Sequence, residues 1–220
     1  MTGTPKLPLV VLISGSGSNL QAIIDRTADD RLPVEIRAVI SNKADAFGLE
    51  RARRANIPTQ VIDHRDYPDR ASYDTALMQA IDARAPGLVA LAGFMRILTP
   101  ELVRHYHGRM FNIHPSLLPH YPGLHTHRRA LEAGDREHGA TVHFVTEQLD
   151  GGPRILQAIV KVAPDDDESA LAARVLAREH ILYPTAIRWF AEGRLVMEGE
   201  QVLFEGLPLA GPITLDYRRP

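Results

Sequence analysis

The chain contains no cysteine, so disulfides, thiolate nucleophiles and thiolate metal sites are all excluded. A reducing cytoplasm fits this absence, and we predict a cytoplasmic protein. Lysine is also scarce: Lys6, Lys43 and Lys161 are the only three, so a phosphate site would rely on arginines or backbone amides. The formal net charge is −2, which leaves no excess of positive charge to attract a nucleic-acid backbone or an anionic membrane.

Long apolar runs are missing too. The longest near the start, Leu7–Ile13, is too short to cross a bilayer and lacks the basic lead-in of a signal peptide. We therefore expect no membrane partner. The 220 residues, 45% hydrophobic and 24% charged, have the ordinary composition of a globular domain. We predict one domain over residues 1–220, with about the first eight residues as a tail and about 194–220 as a small hairpin and C-terminal tail.

Short runs rich in β-branched residues alternate with segments of helical spacing in the first half of the chain. The predicted strands are 9–13, 34–40, 60–62, 88–91 and 110–114, and the predicted helices are 20–27, 47–55, 73–84 and 99–106. This alternation predicts an α/β fold, three-layered and Rossmann-like, in which a mostly parallel twisted sheet carries helices on both faces.

The pattern changes after residue 112. A Pro- and Gly-rich loop reaches Gly123, and a short helix is predicted at about 127–133. Strands at 140–145 and 155–162, joined through Asp150-Gly151-Gly152, predict an antiparallel pair. A long helix should begin near 165–168, with Tyr183-Pro184 expected to kink or end it, and 195–204 should form a hairpin.

A glycine loop, residues 14–23 (SGSGSNLQAI), lies between the first predicted strand and helix, where backbone amides converge on an anion. No Gly-Lys-Ser/Thr follows, so it is not a Walker A motif. Leu20 occupies the third glycine position of a dinucleotide fingerprint, and the second strand ends in Ser41-Asn42 without an acidic ribose ligand, which disfavours NAD. The loop favours a small phosphorylated substrate. The alternative is a plain turn with Ser18 or Asn19 as helix cap.

A second polar group follows the fifth predicted strand. Asn112 and His114 lie at its carboxyl end, where ligands bind in open α/β sheets, and a period of two puts them on one side. An amide and an imidazole held together can donate to a carbonyl oxygen that gains charge during acyl transfer. Asp150 is the carboxylate expected to orient His114. The alternative is a core histidine, a strand-end amide and a turn-forming aspartate.

Several histidines could in principle join His114 around a zinc ion, namely His105, His107, His125 and His127. No cysteine and no HExxH spacing supports such a site. The aspartates at 165–167 likewise lack the spacing of an EF-hand. We predict no metal site.

Six motifs, in order over about residues 9–190, resemble the folate-dependent phosphoribosylglycinamide formyltransferase family. They are SGSGSNLQAIID, SNKADAFGLERA, LAGFMRIL, FNIHPSLLPHYPGLHTHRRALEAGD, HGATVHFVTEQLDGGPRILQ and REHILYP. The resemblance implies transfer of the formyl group of 10-formyltetrahydrofolate to the amine of 5′-phosphoribosylglycinamide in de novo purine biosynthesis. It implies small-molecule partners, a folate cosubstrate, no tightly bound cofactor, no metal, and a monomer or homodimer.

The resemblance also assigns roles to residues. It implies a catalytic trio of Asn112, His114 and Asp150. The residues implied for binding phosphoribosylglycinamide are Gly17, Ser18, Asn19, Leu20, Gln21 and Glu179. Those implied for the folate are Arg70, Met95, Arg96, Ile97, Leu98, Asn112, Val145 and Asp150. Ser16 and His120 depart from the commoner Asn and Lys of the family, at loop positions expected to face solvent.

Related families share an Asn-x-His and Asp site of this kind, so the trio alone does not choose among them. We expect a formyltetrahydrofolate hydrolase to carry a regulatory domain ahead of the first strand, and a methionyl-tRNA formyltransferase to carry a basic C-terminal domain. Here the first predicted strand begins at about Leu9, and Arg218 and Arg219 are the only late basic pair. A non-catalytic phosphate- or folate-binding sensor is the alternative from another class.

Overall fold

The computed structural model describes residues 6–218. Most of the predicted N-terminal tail, and Arg219 of the late basic pair, therefore lie outside the described residues. The Cα positions cluster into two compact units, a first unit up to Phe111 and a second unit from Asn112. Each unit is built around strands whose inward residues are fully buried.

The described part of the first unit contains four strands wholly within it. They are β1 (Leu7–Ile13), β2 (Val34–Ser41), β3 (Thr59–Val61) and β4 (Leu88–Leu91). Its helices are α1 (Ser18–Ala28), α2 (Phe47–Arg54), α3 (Arg70–Asp82) and α4 (Pro100–His105). The strand order is β4-β1-β2-β3 and every pairing is parallel. Residues 9–13 of the central strand are completely buried, as expected when both faces of a strand are covered.

Strand β5 (Met110–His114) spans the boundary between the units. The second unit continues with α5 (Thr126–Glu132), β6 (Glu137–Phe144), β7 (Arg154–Lys161), α6 (Glu168–Ala191), β8 (Leu195–Glu198), β9 (Gln201–Phe204), β10 (Leu207–Pro208) and β11 (Ile213–Tyr217). The order β5-β6-β7-β11 includes the predicted antiparallel pair, β6 with β7, and a parallel pairing of β11 with β7. The predicted fold class is confirmed: a mostly parallel mixed sheet with helices on both sides, and a separate antiparallel trio β8-β9-β10.

The prediction that Tyr183-Pro184 could end the long helix is wrong, because α6 continues through Pro184 to Ala191. Tyr183, Pro184 and Ile187 are all buried, so packing of this face outweighs the hydrogen bond that proline cannot donate. Strand β11 has no counterpart among the sequence predictions. Its five residues, ITLDY, do alternate apolar and polar side chains, and the strand pairs in parallel with β7.

Among residues 6–218, no helix combines the length and the apolar character needed to cross a bilayer.

Candidate active site

Residues 14–17 of the glycine loop lie between β1 and α1, as predicted, and the residues from Ser18 onward already belong to α1. Gly17 is the residue that caps α1, in the left-handed conformation at φ 68°, and no side chain caps the helix. The alternative of Ser18 or Asn19 as cap is therefore wrong. A β-carbon on Gly17 would lie 2.5 Å from the Gly48 Cα atom of α2, so glycine is required by conformation and by space. The loop lines a cavity of about 180 Å³ together with Ala92, Gly93 and Met95.

Arg51 of α2 makes two hydrogen bonds to this loop. Its Nε donates to the Ser16 carbonyl oxygen at 2.8 Å, and its Nη1 donates to the Gln21 Oε1 atom at 3.2 Å. Gly48 also donates its backbone N–H to the Gly15 carbonyl oxygen at 3.0 Å. A guanidinium and a helix N-terminus thus accompany the loop, which is the chemistry of an anion site in a chain with few lysines.

The second unit brings Asn112, His114 and Asp150 together. Asn112 Nδ2 donates to Asp150 Oδ1 at 3.4 Å, and His114 Nδ1 lies 3.4 Å from Asp150 Oδ2. Contact of both strand residues with one carboxylate confirms that they share a side of β5. The side chains of His114 and Asp150 are only 7% and 8% exposed, so their interaction is weakly screened by solvent. Asp150 itself adopts a left-handed conformation at φ 51°, which aspartate tolerates better than most residues.

Both nitrogens of the His114 ring face oxygen atoms. Nε2 lies 2.9 Å from the Tyr121 carbonyl oxygen and therefore carries a hydrogen, while Nδ1 faces the Asp150 carboxylate. An imidazolium satisfies both oxygens at once, because it is a donor at each nitrogen. Asp150 Oδ2 also accepts the Gly123 backbone N–H at 2.8 Å, which ties the Pro- and Gly-rich loop to the trio.

His143 of β6 is a fourth member of this group that the sequence analysis missed. Its Nδ1 donates to the Phe144 carbonyl oxygen at 2.8 Å, so its Nε2 is free to accept from Asn112 Nδ2, 3.2 Å away. Burial is the main cause that lowers the pKa of His143, which keeps the ring neutral. The alternation of the β6 sequence already put this histidine on a strand. Which face it occupied, and its distance from Asn112, needed the tertiary structure.

Two further histidines, buried His138 and half-buried His127, form a pair in the second unit. His127 Nδ1 and His138 Nε2 are 3.1 Å apart. Burial, followed by the neighbouring His127, lowers the pKa of His138 to about 4, and burial also lowers that of His127. Across residues 6–218, no group of three or more histidine or acidic side chains is arranged to hold a metal ion.

The other predicted site residues lie at the ends of helices and strands or in the connections between them, with one exception. Arg70 is the first residue of α3, segment 95–98 connects β4 to α4, and Val145 follows β6. Met95 and Ile97 are 63% and 59% exposed, unusual for large apolar side chains and typical of a binding surface. The Arg96 guanidinium lies over the Tyr73 ring, 5.6 Å from its centroid. Glu179 is the exception, because it is buried in the middle of α6.

Known proteins resemble this chain both in sequence and in fold. The formyl transferase family model matches residues 7–187. The phosphoribosylglycinamide formyltransferase of Escherichia coli is 58% identical over 198 residues, covering 90% of this chain and 93% of that protein. The solved structure of the phosphoribosylglycinamide formyltransferase of Coxiella burnetii superposes with a TM-score of 0.90 at 53% identity, covering 94% of this chain and 99% of that one.

A formyltetrahydrofolate deformylase from Pseudomonas syringae also superposes, with a TM-score of 0.84, but at only 28% identity and over 66% of that chain. The sequence identity to the two transferases named above is thus about twice that to this deformylase. The chain belongs to the formyl transferase family and, within it, to the phosphoribosylglycinamide formyltransferases.

Proposed function

We propose that the chain transfers the formyl group of 10-formyltetrahydrofolate to the amine of 5′-phosphoribosylglycinamide, giving formylated glycinamide ribonucleotide and tetrahydrofolate for purine biosynthesis. The observation that carries the proposal is the cluster of Asn112, His114 and Asp150, which share contacts of 3.4 Å in a chain of this family. The substrates are small molecules, and the folate is a cosubstrate rather than a resident cofactor.

In the proposed reaction the substrate's neutral amine attacks the formyl carbon, and the carbonyl oxygen becomes an oxyanion. Asn112 and the His114 imidazolium donate hydrogen bonds to that oxygen, and Asp150 stabilises the cation. When the bond from the formyl carbon to the folate nitrogen breaks, the proton lost by the amine passes to that nitrogen. Asp150 assists this proton transfer through water.

The hydrogen bonds within the cluster suggest how these donors become available. The hydrogen bond from Asn112 Nδ2 to Asp150 Oδ1, at 3.4 Å, is long and therefore weak, so a substrate oxygen can replace it. The second hydrogen of the Asn112 amide is donated to His143 Nε2, and this hydrogen bond fixes the orientation of the amide. The 2.9 Å contact of His114 Nε2 with the Tyr121 carbonyl oxygen has to open before that nitrogen can face an oxyanion.

Binding roles are proposed for the remaining predicted residues. Gly17, Ser18, Asn19, Leu20 and Gln21 bind the substrate phosphate through the α1 N-terminus, and Glu179 binds the ribose. The folate is bound by Arg70, segment 95–98 and Val145, together with Asn112 and Asp150. Support comes from the bare helix cap at Gly17 and from the exposure of Met95 and Ile97.

Several wider properties are also proposed. The chain acts as a single formyltransferase domain, with residues 194–220 as an appended hairpin and tail, which is supported by a family match that runs through both units. It works in the cytoplasm as a monomer or homodimer, without nucleic acid, consistent with its net charge of −2. Light scattering coupled to gel filtration tests the oligomeric state.

The proposed activity is tested by incubating the protein with both substrates and following the absorbance change that accompanies release of tetrahydrofolate. A matched reaction omits phosphoribosylglycinamide. We expect product only when both substrates are present. Equal release of tetrahydrofolate without phosphoribosylglycinamide would instead identify a hydrolase, and tight binding of either ligand without any product would identify a sensor.

A further inference from the structure

We propose that Ser14 and Asn42 form a buried strut that positions the glycine loop and segment 95–98 together, so that binding of both substrates depends on it. The strut is defined as these two side chains and their hydrogen bonds. The inference rests on the proposed function in one respect, because it assumes that the loop binds the phosphorylated substrate and the segment binds the folate.

The contacts lie at the ends of three neighbouring strands. Ser14 directly follows β1, Asn42 directly follows β2, and Met95 lies in the connection after β4. The Ser14 hydroxyl donates to Asn42 Oδ1 at 2.6 Å and accepts the Met95 backbone N–H at 2.7 Å. The Ser14 backbone N–H donates to the Gly93 carbonyl oxygen at 3.1 Å. Ser14, the first residue of the glycine loop, thus makes two hydrogen bonds to the connection after β4, one to Gly93 and one to Met95.

Asn42 fixes the direction of the Ser14 hydroxyl. A serine hydroxyl has one hydrogen, and its use toward Asn42 leaves a lone pair to accept from Met95. The Asn42 amide has its own orientation fixed, because its Nδ2 faces His64 Nδ1 at 3.4 Å. Ser14 and Asn42 are 5% and 1% exposed, so water does not readily replace either hydrogen bond.

The position of the strut explains why the binding of both substrates should depend on it. Ser14 and Met95 line the same 180 Å³ cavity beside Gly17 and Asn19. Segment 95–98 belongs to neither a helix nor a strand, so it lacks the regular backbone hydrogen bonds of those elements. Removing the Ser14 hydroxyl would break its hydrogen bonds to the Met95 N–H and to Asn42. Both segment 95–98 and the start of the glycine loop would then be held less firmly. Ser14 and Asn42 are therefore positioning residues, with no required contact to the reacting atoms.

The test compares Ser14→Ala with Ser41→Ala. Ser41 is a matched control, since it is also a fully buried serine at a strand end, and its hydroxyl donates to the Lys43 carbonyl oxygen at 2.8 Å and accepts the Lys43 N–H at 3.0 Å. We expect Ser14→Ala to raise KM for both substrates about tenfold, the effect of one buried hydrogen bond, with kcat changed less than about threefold. Ser41→Ala should change neither KM more than about twofold, and Ser14→Thr, which keeps the hydroxyl, should restore both.

Amide exchange of Met95, followed by NMR, gives a readout that does not depend on turnover. Ser14→Ala should accelerate this exchange about tenfold relative to the parent, in step with the loss of one hydrogen bond. The proposal is overturned if Met95 exchange is unchanged, if only one KM rises, or if Ser41→Ala raises both KM values equally. Should Ser14→Ala fail to fold, Asn42→Leu is measured against the same criteria. A parent protein without transfer activity would refute the proposed function, while the exchange comparison would still decide whether the strut exists.

Discussion

The glycine loop of the first unit and the trio of the second unit differ in which groups form the site: backbone in the loop, side chains in the trio. The loop works with backbone: Gly17 caps α1 without a side chain, and Gly48 packs against it so closely that a β-carbon at residue 17 would lie 2.5 Å from the Gly48 Cα atom. The trio works with side chains, which come from β5 and from the turn after β6. The His114 and Asp150 side chains are almost fully buried, Asn112 is half-buried, and all three make hydrogen bonds or close polar contacts within the protein.

This difference determines what each region tolerates. A backbone site is sensitive to glycine replacement, because added atoms move the chain itself. A side-chain site is sensitive to the loss of individual donors and acceptors, because a buried partner is then left unpaired. Substitutions in the loop should therefore weaken substrate binding and lower stability, whereas substitutions in the trio should lower the rate of the chemical step.

The largest effect is expected from His114→Ala. Loss of one oxyanion donor lowers kcat about 100- to 1000-fold. Steady-state kinetics with both substrates should show this fall with little change in KM for phosphoribosylglycinamide, which binds through the loop. His107→Ala, at an exposed histidine, is the control and should match the parent. Turnover of His114→Ala within about threefold of the parent would remove His114 from the mechanism.

The next effect tests the loop. Gly17→Ala combines the strain of a positive φ with the clash against Gly48, so KM for phosphoribosylglycinamide should rise about tenfold or more, and the free energy of unfolding should fall by about 2 kcal/mol or more. Gly134→Ala is the matched control, because its φ is 70° and nothing lies within 4 Å of the added carbon. It should show only the conformational strain, about 1 kcal/mol, and unchanged kinetics. Equal behaviour of the two variants in thermal unfolding and kinetics would show that the close approach of α2 is unimportant.

A smaller effect is expected at His143. His143→Leu removes the acceptor that orients the Asn112 amide, so kcat should fall about tenfold while both KM values stay near those of the parent. His143→Gln retains a side-chain acceptor and should recover most of the rate. If the Leu variant has the kcat of the parent, Asn112 is oriented by Asp150 alone.

The smallest effect on activity, and a clear one on stability, is expected at His138. Its pKa is lowered to about 4, so the unfolded chain binds more protons than the folded one below about pH 6.5. The stabilisation is complete above that pH and is lost as the pH falls toward 4, by on the order of 1 to 3 kcal/mol. Urea unfolding from pH 7.5 to 5 should show this slope. His138→Gln should reduce this slope without changing turnover at pH 7.5, and the remainder should come from His143 and His127, whose pKa values are also lowered. An unchanged slope would show that His138 does not contribute to it.

Much of the fold was predictable because local patterns are strong where strands are buried on both faces. Strands β4 and β5 begin and end where the sequence placed them, and β2 differs by a single residue. The expectation that Pro184 could end the long helix failed, because burial of one helix face outweighs the missing hydrogen bond. Strand β11 was missed although its residues alternate apolar and polar side chains. At Pro184 the deciding factor is tertiary burial, whereas the signal for β11 is local and only five residues long.

The candidate site divides in the same way. By itself the sequence determined the glycine loop, the Asn-x-His pair on one side of a strand and the turn carrying Asp150, because glycine conformation and strand periodicity are local properties. Only the tertiary structure decided that Asp150 contacts both strand residues, that His143 orients Asn112, and that Ser14 joins Asn42 to Met95. Those contacts depend on how strands pair and how far each turn reaches, which no short stretch of sequence encodes.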